Sequence, residues 1–92
     1  MVSAAAFEIT IEFFGPFRRF GTERDLVVNG PVGFAELLDT LTAVLGPEFA
    51  EQAGRRNTTV IVNNRIASRQ SLVTLEIEPG DKVAFALLLG GG

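Results

Sequence analysis

The sequence predicts an α+β domain in which one main helix packs across a mixed sheet of four to five strands, and three observations predict it. Phe7 to Phe13 alternates strictly between apolar and polar residues, as a strand with one buried face does. Phe34, Leu37, Leu38, Leu41 and Leu45 recur at helical spacing. Lys82 to Leu88 is apolar on both faces after its first residue, which suits a strand in the middle of a sheet. A chain of 92 residues has room for one core, and 47% hydrophobic content with eight Phe supplies it. At 21% charged and a net charge of −3, the composition is far from a disordered one.

In the first strand, Phe7, Ile9, Ile11 and Phe13 face one way and Glu8, Thr10 and Glu12 the other. Phe14-Gly15-Pro16 breaks it, and a loop with Phe17, Arg18, Arg19, Phe20 and Gly21 leads to a second short run, Asp25 to Val28. These two strands are expected to form a hairpin. Asn29-Gly30-Pro31 is a turn, and the helix that follows turns Glu36, Asp39, Thr40 and Thr42 outward. Gly33 stands at its N-cap, Gly46 ends it, and Pro47 opens a short second helix through Ala53. Gly54 to Asn57 is a polar connector. Thr58 to Val62 is β-branched and strand-like, Asn63-Asn64 accepts the positive φ of a tight turn, and Arg65 to Ala67 returns from it. Ser68 to Ile77 reads as irregular with short pairing, Glu78-Pro79-Gly80-Asp81 as a turn, and Lys82 to Leu88 as the last strand. The order ββ-α-ββ-β is an α+β arrangement of the β-grasp kind. A right-handed crossover through the helix then sets the last strand parallel to the first.

Several function classes are excluded by what the composition lacks. With no Cys there is no disulfide, thiolate nucleophile, cysteine-ligated zinc or iron–sulfur cluster. With no His, the usual general base and the commonest metal ligand are missing too. The chain is therefore not expected to be an enzyme, to have catalytic residues, or to bind a metal or cofactor. Eight Lys and Arg against eleven Asp and Glu disfavour nucleic acid and suit a basic protein partner. Met1 to Ala6 has no cationic region, and no stretch reaches membrane-spanning length, so the expectation is a cytoplasmic protein with no membrane association. The expected layout is a flexible N-terminus over 1–6, a single domain over 7–89 and a flexible glycine tail over 90–92.

That tail, Gly90-Gly91-Gly92, follows a core strand directly. Glycine lets a backbone pass where any Cβ would collide, so such an extension can present its carboxylate inside another protein's narrow active site. A terminus rich in small residues is also commonly no more than a frayed end.

Four stretches join the tail in a pattern: Phe13-Phe14-Gly15-Pro16-Phe17-Arg18, Phe34-Ala35-Glu36-Leu37-Leu38, Val60-Ile61-Val62-Asn63, and Pro79-Gly80-Asp81-Lys82-Val83-Ala84-Phe85. In this order and at these separations, from about Phe7 to Gly92, the chain resembles the MoaD and ThiS family of ubiquitin-like sulfur carriers. Its length is nearer the MoaD-like molybdopterin synthase small subunits than the shorter thiazole-pathway carriers. The resemblance implies a ubiquitin-like β-grasp fold and a C-terminal glycine, here Gly92, whose carboxylate is adenylated and then converted to a thiocarboxylate. Gly90 and Gly91 would thread the partner's active site. The implied partners are an E1-like adenylating enzyme of the MoeB or ThiF type, which uses ATP, a sulfur donor such as a cysteine desulfurase or rhodanese, and a pterin synthase large subunit of the MoaE type. The sulfur would go to molybdopterin or tungstopterin in molybdenum cofactor biosynthesis. Two other functions stay open: a ubiquitin-like modifier conjugated through Gly92, and a non-covalent β-grasp interaction module.

Partner contact is expected on the second face of the last strand, Ala84, Ala86 and Leu88, with Ile61 beside it, because a solvated sheet would place polar residues there. Phe13, Phe14, Phe17 and Phe20 read mostly as core and loop anchors, with Phe17 and Phe20 also the candidates for partner contact on the loop after the first strand. Arg18-Arg19, Arg55-Arg56, Glu8 and Glu12 read as solvated surface.

Overall fold

The computed structural model describes residues 7–87. The main sheet has the order β2-β1-β7-β4-β5, formed by β1 (Glu8–Phe13), β2 (Glu23–Val27), β4 (Thr58–Val62), β5 (Arg65–Ala67) and β7 (Lys82–Leu87). A two-stranded ladder joins β3 (Val32–Gly33) to β6 (Glu76–Ile77). The helices are α1 (Phe34–Leu45), α2 (Pro47–Ala53) and α3 (Arg69–Thr74), and a 3-10 helix spans Gly15–Phe20. This is the expected mixed sheet with one main helix packed on it.

The last strand is central, as its two apolar faces require. It runs parallel to β1, with Ile11 opposite Val83 and Phe13 opposite Phe85, and antiparallel to β4, with Val60 opposite Phe85. β1 pairs antiparallel with β2, Ile9 opposite Leu26, and β4 with β5, Ile61 opposite Ile66. The turn between β4 and β5 uses Asn63 and Asn64 at φ 51° and 69°, which asparagine tolerates better than most residues. Asn63 also ties that turn to β7: its Oδ1 accepts from the Lys82 N–H at 2.9 Å and its Nδ2 donates to Asp81 Oδ1 at 3.0 Å.

Inner-face residues Ile9, Ile11 and Phe13 of β1 and Val83 and Phe85 of β7 are buried against Leu37 and Leu41 of α1. Gly46, at φ 104°, ends α1 by donating its N–H to the Thr42 carbonyl at 2.8 Å, and Pro47 at once starts α2. The turn delivers Phe49 into an aromatic cluster, 5.2 Å from Phe85 and 5.4 Å from Phe20 in edge-on contact. No buried side-chain nitrogen or oxygen among the described residues lacks a hydrogen-bond partner.

Two segments differ from the sequence reading. Arg69–Thr74, expected to be irregular, is a short helix capped by Ser68, whose hydroxyl accepts from the Ser71 N–H at 3.1 Å. The segment after β1, expected to be a loop, winds into the 3-10 helix with Pro16 in its first turn. That winding turns Phe17 inward.

Candidate functional site

Helices cover one face of the sheet, and the strand registers define the other. With Ile9, Ile11, Phe13, Val60, Val83 and Phe85 turned inward, alternation places Glu8, Thr10 and Glu12 of β1 on the open face, with Glu23, Asp25 and Val27 of β2 beside them. The same rule puts Lys82, Ala84 and Ala86 of β7, Thr59 and Ile61 of β4, and Ile66 of β5 on that face.

The open face therefore has two halves. Across β1 and β2 it carries four carboxylates, Glu8, Glu12, Glu23 and Asp25, held in part by Thr10 Oγ1 donating to Asp25 Oδ1 at 3.1 Å. Across β7, β4 and β5 it is mainly apolar, with Ala84, Ala86, Ile61 and Ile66 around Thr59. Lys82 lies on the seam, its Nζ 3.7 Å from Glu12 Oε2.

Of the expected contact residues, Ala86 is half-buried on this face. Ala84 is only 5% exposed, because its small side chain lies between Glu12 and Ile61, directly opposite it on the two flanking strands. It forms the floor of the face and not its contact surface. Leu88 and the glycines Gly90, Gly91 and Gly92 lie outside the described residues, as do residues 1–6. The most exposed apolar side chains on the face are Ile66 and Val27, each 70% exposed, which the sequence reading missed. Ile66 had a signal: it returns from the Asn63-Asn64 turn opposite Ile61, and so shares its face.

Phe17 does not lie on the surface. It is fully buried, with ring centroids 5.7 Å from Phe85, 6.0 Å from Phe49 and 6.3 Å from Phe20, because the 3-10 helix aims it under the end of β7. Phe20 is half-buried in the same cluster, and the Arg19 guanidinium lies 5.4 Å from its ring centroid.

The aromatic cluster holds the end of β7, from which the chain continues toward the glycines. Phe14 donates its N–H to the Phe85 carbonyl at 2.9 Å, Thr58 is paired opposite Leu87, and a side-chain carbon at Gly15 would lie 3.8 Å from Leu87 Cβ. Arginines flank this exit. Arg18 Nε donates to the Phe13 carbonyl at 2.9 Å, while the Arg55 carbonyl accepts from Arg69 at 2.9 Å and from the Thr58 N–H at 3.1 Å. Arg19 is paired with Glu48 at 3.1 Å. Among the described residues no three His, Cys, Asp or Glu side chains are grouped as a metal would need, and no helix is long and apolar enough to cross a membrane.

No protein-family model matches the sequence, and no curated protein matches it. Solved structures do match over nearly the whole chain. Urm1 from Trypanosoma brucei superposes with a TM-score of 0.73 at 22% identity, covering 98% of this chain and 100% of that one. The small archaeal modifier protein 1 from Methanosarcina acetivorans gives 0.69 at 18% identity, covering 97% and 100%. A chain from the complex of subunits 1 and 2 of molybdopterin-converting factor from Helicobacter pylori gives 0.58 at 18% identity, covering 92% and 99%. The chain thus has the ubiquitin-like β-grasp fold of these proteins, the fold that its sequence resemblance implied.

Proposed function

We propose that this protein is a sulfur carrier whose C-terminal glycine, Gly92, is adenylated and converted to a thiocarboxylate that donates sulfur in the making of molybdopterin or tungstopterin. The observation that carries this reading is the placement of β7. The central strand of a ubiquitin-like fold leads directly into Gly90-Gly91-Gly92, beside an open face fit to dock a partner. The resemblance of the molybdopterin-converting factor chain, seen in a complex with its second subunit, supports a docked mode of action.

The chemistry asks little of this chain. A carboxylate is a poor electrophile, so an E1-like partner of the MoeB or ThiF type must first join it to AMP from ATP, releasing pyrophosphate. A sulfur nucleophile then attacks the acyl carbon; the new C–S bond replaces the C–O bond to phosphate, and AMP leaves. Where the sulfur arrives as a persulfide from a cysteine desulfurase or rhodanese, a thiol cleaves the resulting acyl disulfide and frees the thiocarboxylate. A carrier that holds sulfur on its own backbone end needs neither Cys nor His, and the sequence has neither. Gly90 and Gly91 would line the narrowest part of the partner's channel, where a Cβ would collide. The apolar half of the open face, centred on Ala86 and extended by Ile61 and Ile66, would seat the adenylating enzyme and a pterin synthase large subunit of the MoaE type. The carboxylate half would steer basic groups of the partner into place.

The test is intact-mass measurement after incubation with ATP, an adenylating enzyme of the MoeB type proven on another carrier, and a sulfur donor. The expected product has one oxygen replaced by sulfur. An unmodified chain in a reaction where the control carrier is thiolated refutes the reading. A second reading, conjugation of Gly92 to lysines of target proteins, is favoured by the likeness to the small archaeal modifier protein. It gives higher-mass adducts in place of a free thiocarboxylate.

A further inference from the structure

The main sheet ends on β2, which has β1 on one side and, among the described residues, no strand on the other. Which of its main-chain groups stay unpaired follows from the ladder. Phe13 donates its N–H to the Thr22 carbonyl at 3.0 Å and Val28 its N–H to the Phe7 carbonyl at 2.7 Å, so the hydrogen-bonded positions of β2 fall on Thr22, Arg24, Leu26 and Val28. Glu23, Asp25 and Val27 therefore turn their N–H and carbonyl groups outward along the edge. The same three residues place their side chains on the open face.

The other face of β2 borders a cleft of about 250 Å³ between the strand and α1. Leu26, Val28 and Val32 line it on the sheet side, and Glu36, Leu37 and Thr40 on the helix side. Because β2 is the outermost strand, the cleft opens at the sheet edge. Leu26, Val28 and Val32 pack against the core yet are only partly buried, so an apolar side chain entering from the edge would extend the core and cover them.

We propose that the β2 edge takes an extended segment of a partner protein as a sixth strand, a segment in which apolar and basic side chains are placed by the two faces of β2. Antiparallel pairing is the more stable kind per residue, and it sets the order. The segment residues opposite Glu23 and Asp25 are basic, since they stand beside those carboxylates on the open face. The residue opposite Leu26 is apolar, since it turns into the cleft, and the one opposite the exposed Val27 is apolar too. Main-chain bonds to Glu23, Asp25 and Val27 supply affinity, and the alternating side chains supply the choice of partner. A second copy of this chain is the poorer occupant: pairing two β2 strands about Asp25 sets that carboxylate against its own counterpart. A segment held here lies two strands from β7 and leaves the apolar half of the open face uncovered. The inference does not depend on the chemistry of Gly92.

The experiment titrates the isotope-labelled full chain with the peptide acetyl-Gly-Val-Leu-Lys-Thr-Lys-Gly-amide and follows the main-chain amides by NMR. Expected is saturable binding that shifts the amides of Glu23, Asp25 and Val27 and slows their hydrogen exchange. Methylating the main-chain nitrogen of the first lysine, the one opposite Asp25, keeps its charge and removes a ladder donor, so affinity falls by about tenfold. Replacing both lysines of the peptide by glutamate, or Asp25→Lys in the chain, weakens binding by about fivefold or more, with the dispersion of the same spectrum confirming the fold. Equal affinity for the methylated peptide would show attraction by charge alone and overturns the proposal. So does the absence of binding at millimolar peptide, a set of shifts confined to other elements, or self-pairing of β2 that grows with protein concentration when no peptide is present. None of these readouts involves activation of Gly92, so this inference and the sulfur-carrier reading fail separately.

Discussion

Truncating Phe17 to alanine tests whether the aromatic cluster under the end of β7 holds the fold together. The ring is fully buried and meets Phe20, Phe49 and Phe85 at centroid distances of 6.3, 6.0 and 5.7 Å. Removing it forfeits about 2 to 3 kcal/mol of transfer free energy. The cavity, on the order of 100 Å³, adds about 2 kcal/mol at ~24 cal/mol per Å³ if the walls do not collapse. The expected loss is therefore about 4 kcal/mol, within the usual range for buried phenylalanine. A domain of this size has roughly 5 to 14 kcal/mol in all, so the variant should be marginal at physiological temperature. At roughly 4 to 8 °C per kcal/mol the midpoint should fall by about 20 °C or more. Urea titration and thermal melting followed by circular dichroism measure both quantities, with Phe14→Ala, whose ring is 40% exposed, as the control expected to lose about 1 kcal/mol or less. A loss below about 1.5 kcal/mol for Phe17→Ala would show that the ring is not confined in the core as described.

Further tests bear on the open face and the chain end. Gly91→Ala and Gly92→Val should fold with stability changed by no more than about 0.5 kcal/mol while losing adenylation or sulfur transfer; full transfer by both variants would remove the threading argument. Ala86→Glu places an unpaired charge at the apolar half of the face and should weaken binding to the adenylating enzyme by about 2 to 4 kcal/mol by calorimetry; an unchanged affinity in a folded variant would move the docking surface elsewhere. Association with that enzyme, followed by stopped flow, should slow as salt rises, because the carboxylates on β1 and β2 are solvent-facing and screened; a salt-independent rate would refute electrostatic steering. Asn63→Ala should cost about 1 to 2 kcal/mol in urea titration, since it removes one hydrogen bond to Lys82 of β7 and one to Asp81 just before it, and places a less tolerant residue at positive φ. A neutral result would show that the turn is not held by that side chain.

Much of the fold was legible because periodicity reports burial directly. The alternation of Glu8–Phe13, the helical spacing of Phe34–Leu45 and the two apolar faces of β7 each translated into the element and the sheet position observed. Short segments were less so. Arg69–Thr74 has too few residues to display a helical stripe, and only Ser68 at its cap hints at it. The β3–β6 ladder pairs Val32 with Ile77 across about half the chain, a contact that no local pattern encodes. The face of β7 was read correctly as an apolar surface, but exposure along it depends on neighbours. Alanine at the centre of a sheet is shaded by Glu12 and Ile61, and the accessible apolar group is Ile66 on the edge strand. Phe17 was read both as a loop anchor and as a contact candidate, because a loop residue has no period to say which way it points, and the turn started by Pro16 decided for the core.

The placement of β7 between a parallel and an antiparallel neighbour has a mechanical side. Under the proposed function the end of the chain would be inserted into one partner after another and repeatedly tugged. A pull applied at Leu87 along the strand axis loads the β1–β7 and β4–β7 ladders in shear, so their hydrogen bonds resist together instead of opening one at a time. The knot of Phe17, Phe49 and Phe85 beneath the exit adds a wedge against sliding. Under that function, withdrawal from a tight channel should break the grip of the partner before it disturbs this fold, and one molecule would be threaded, released and threaded again without refolding between cycles.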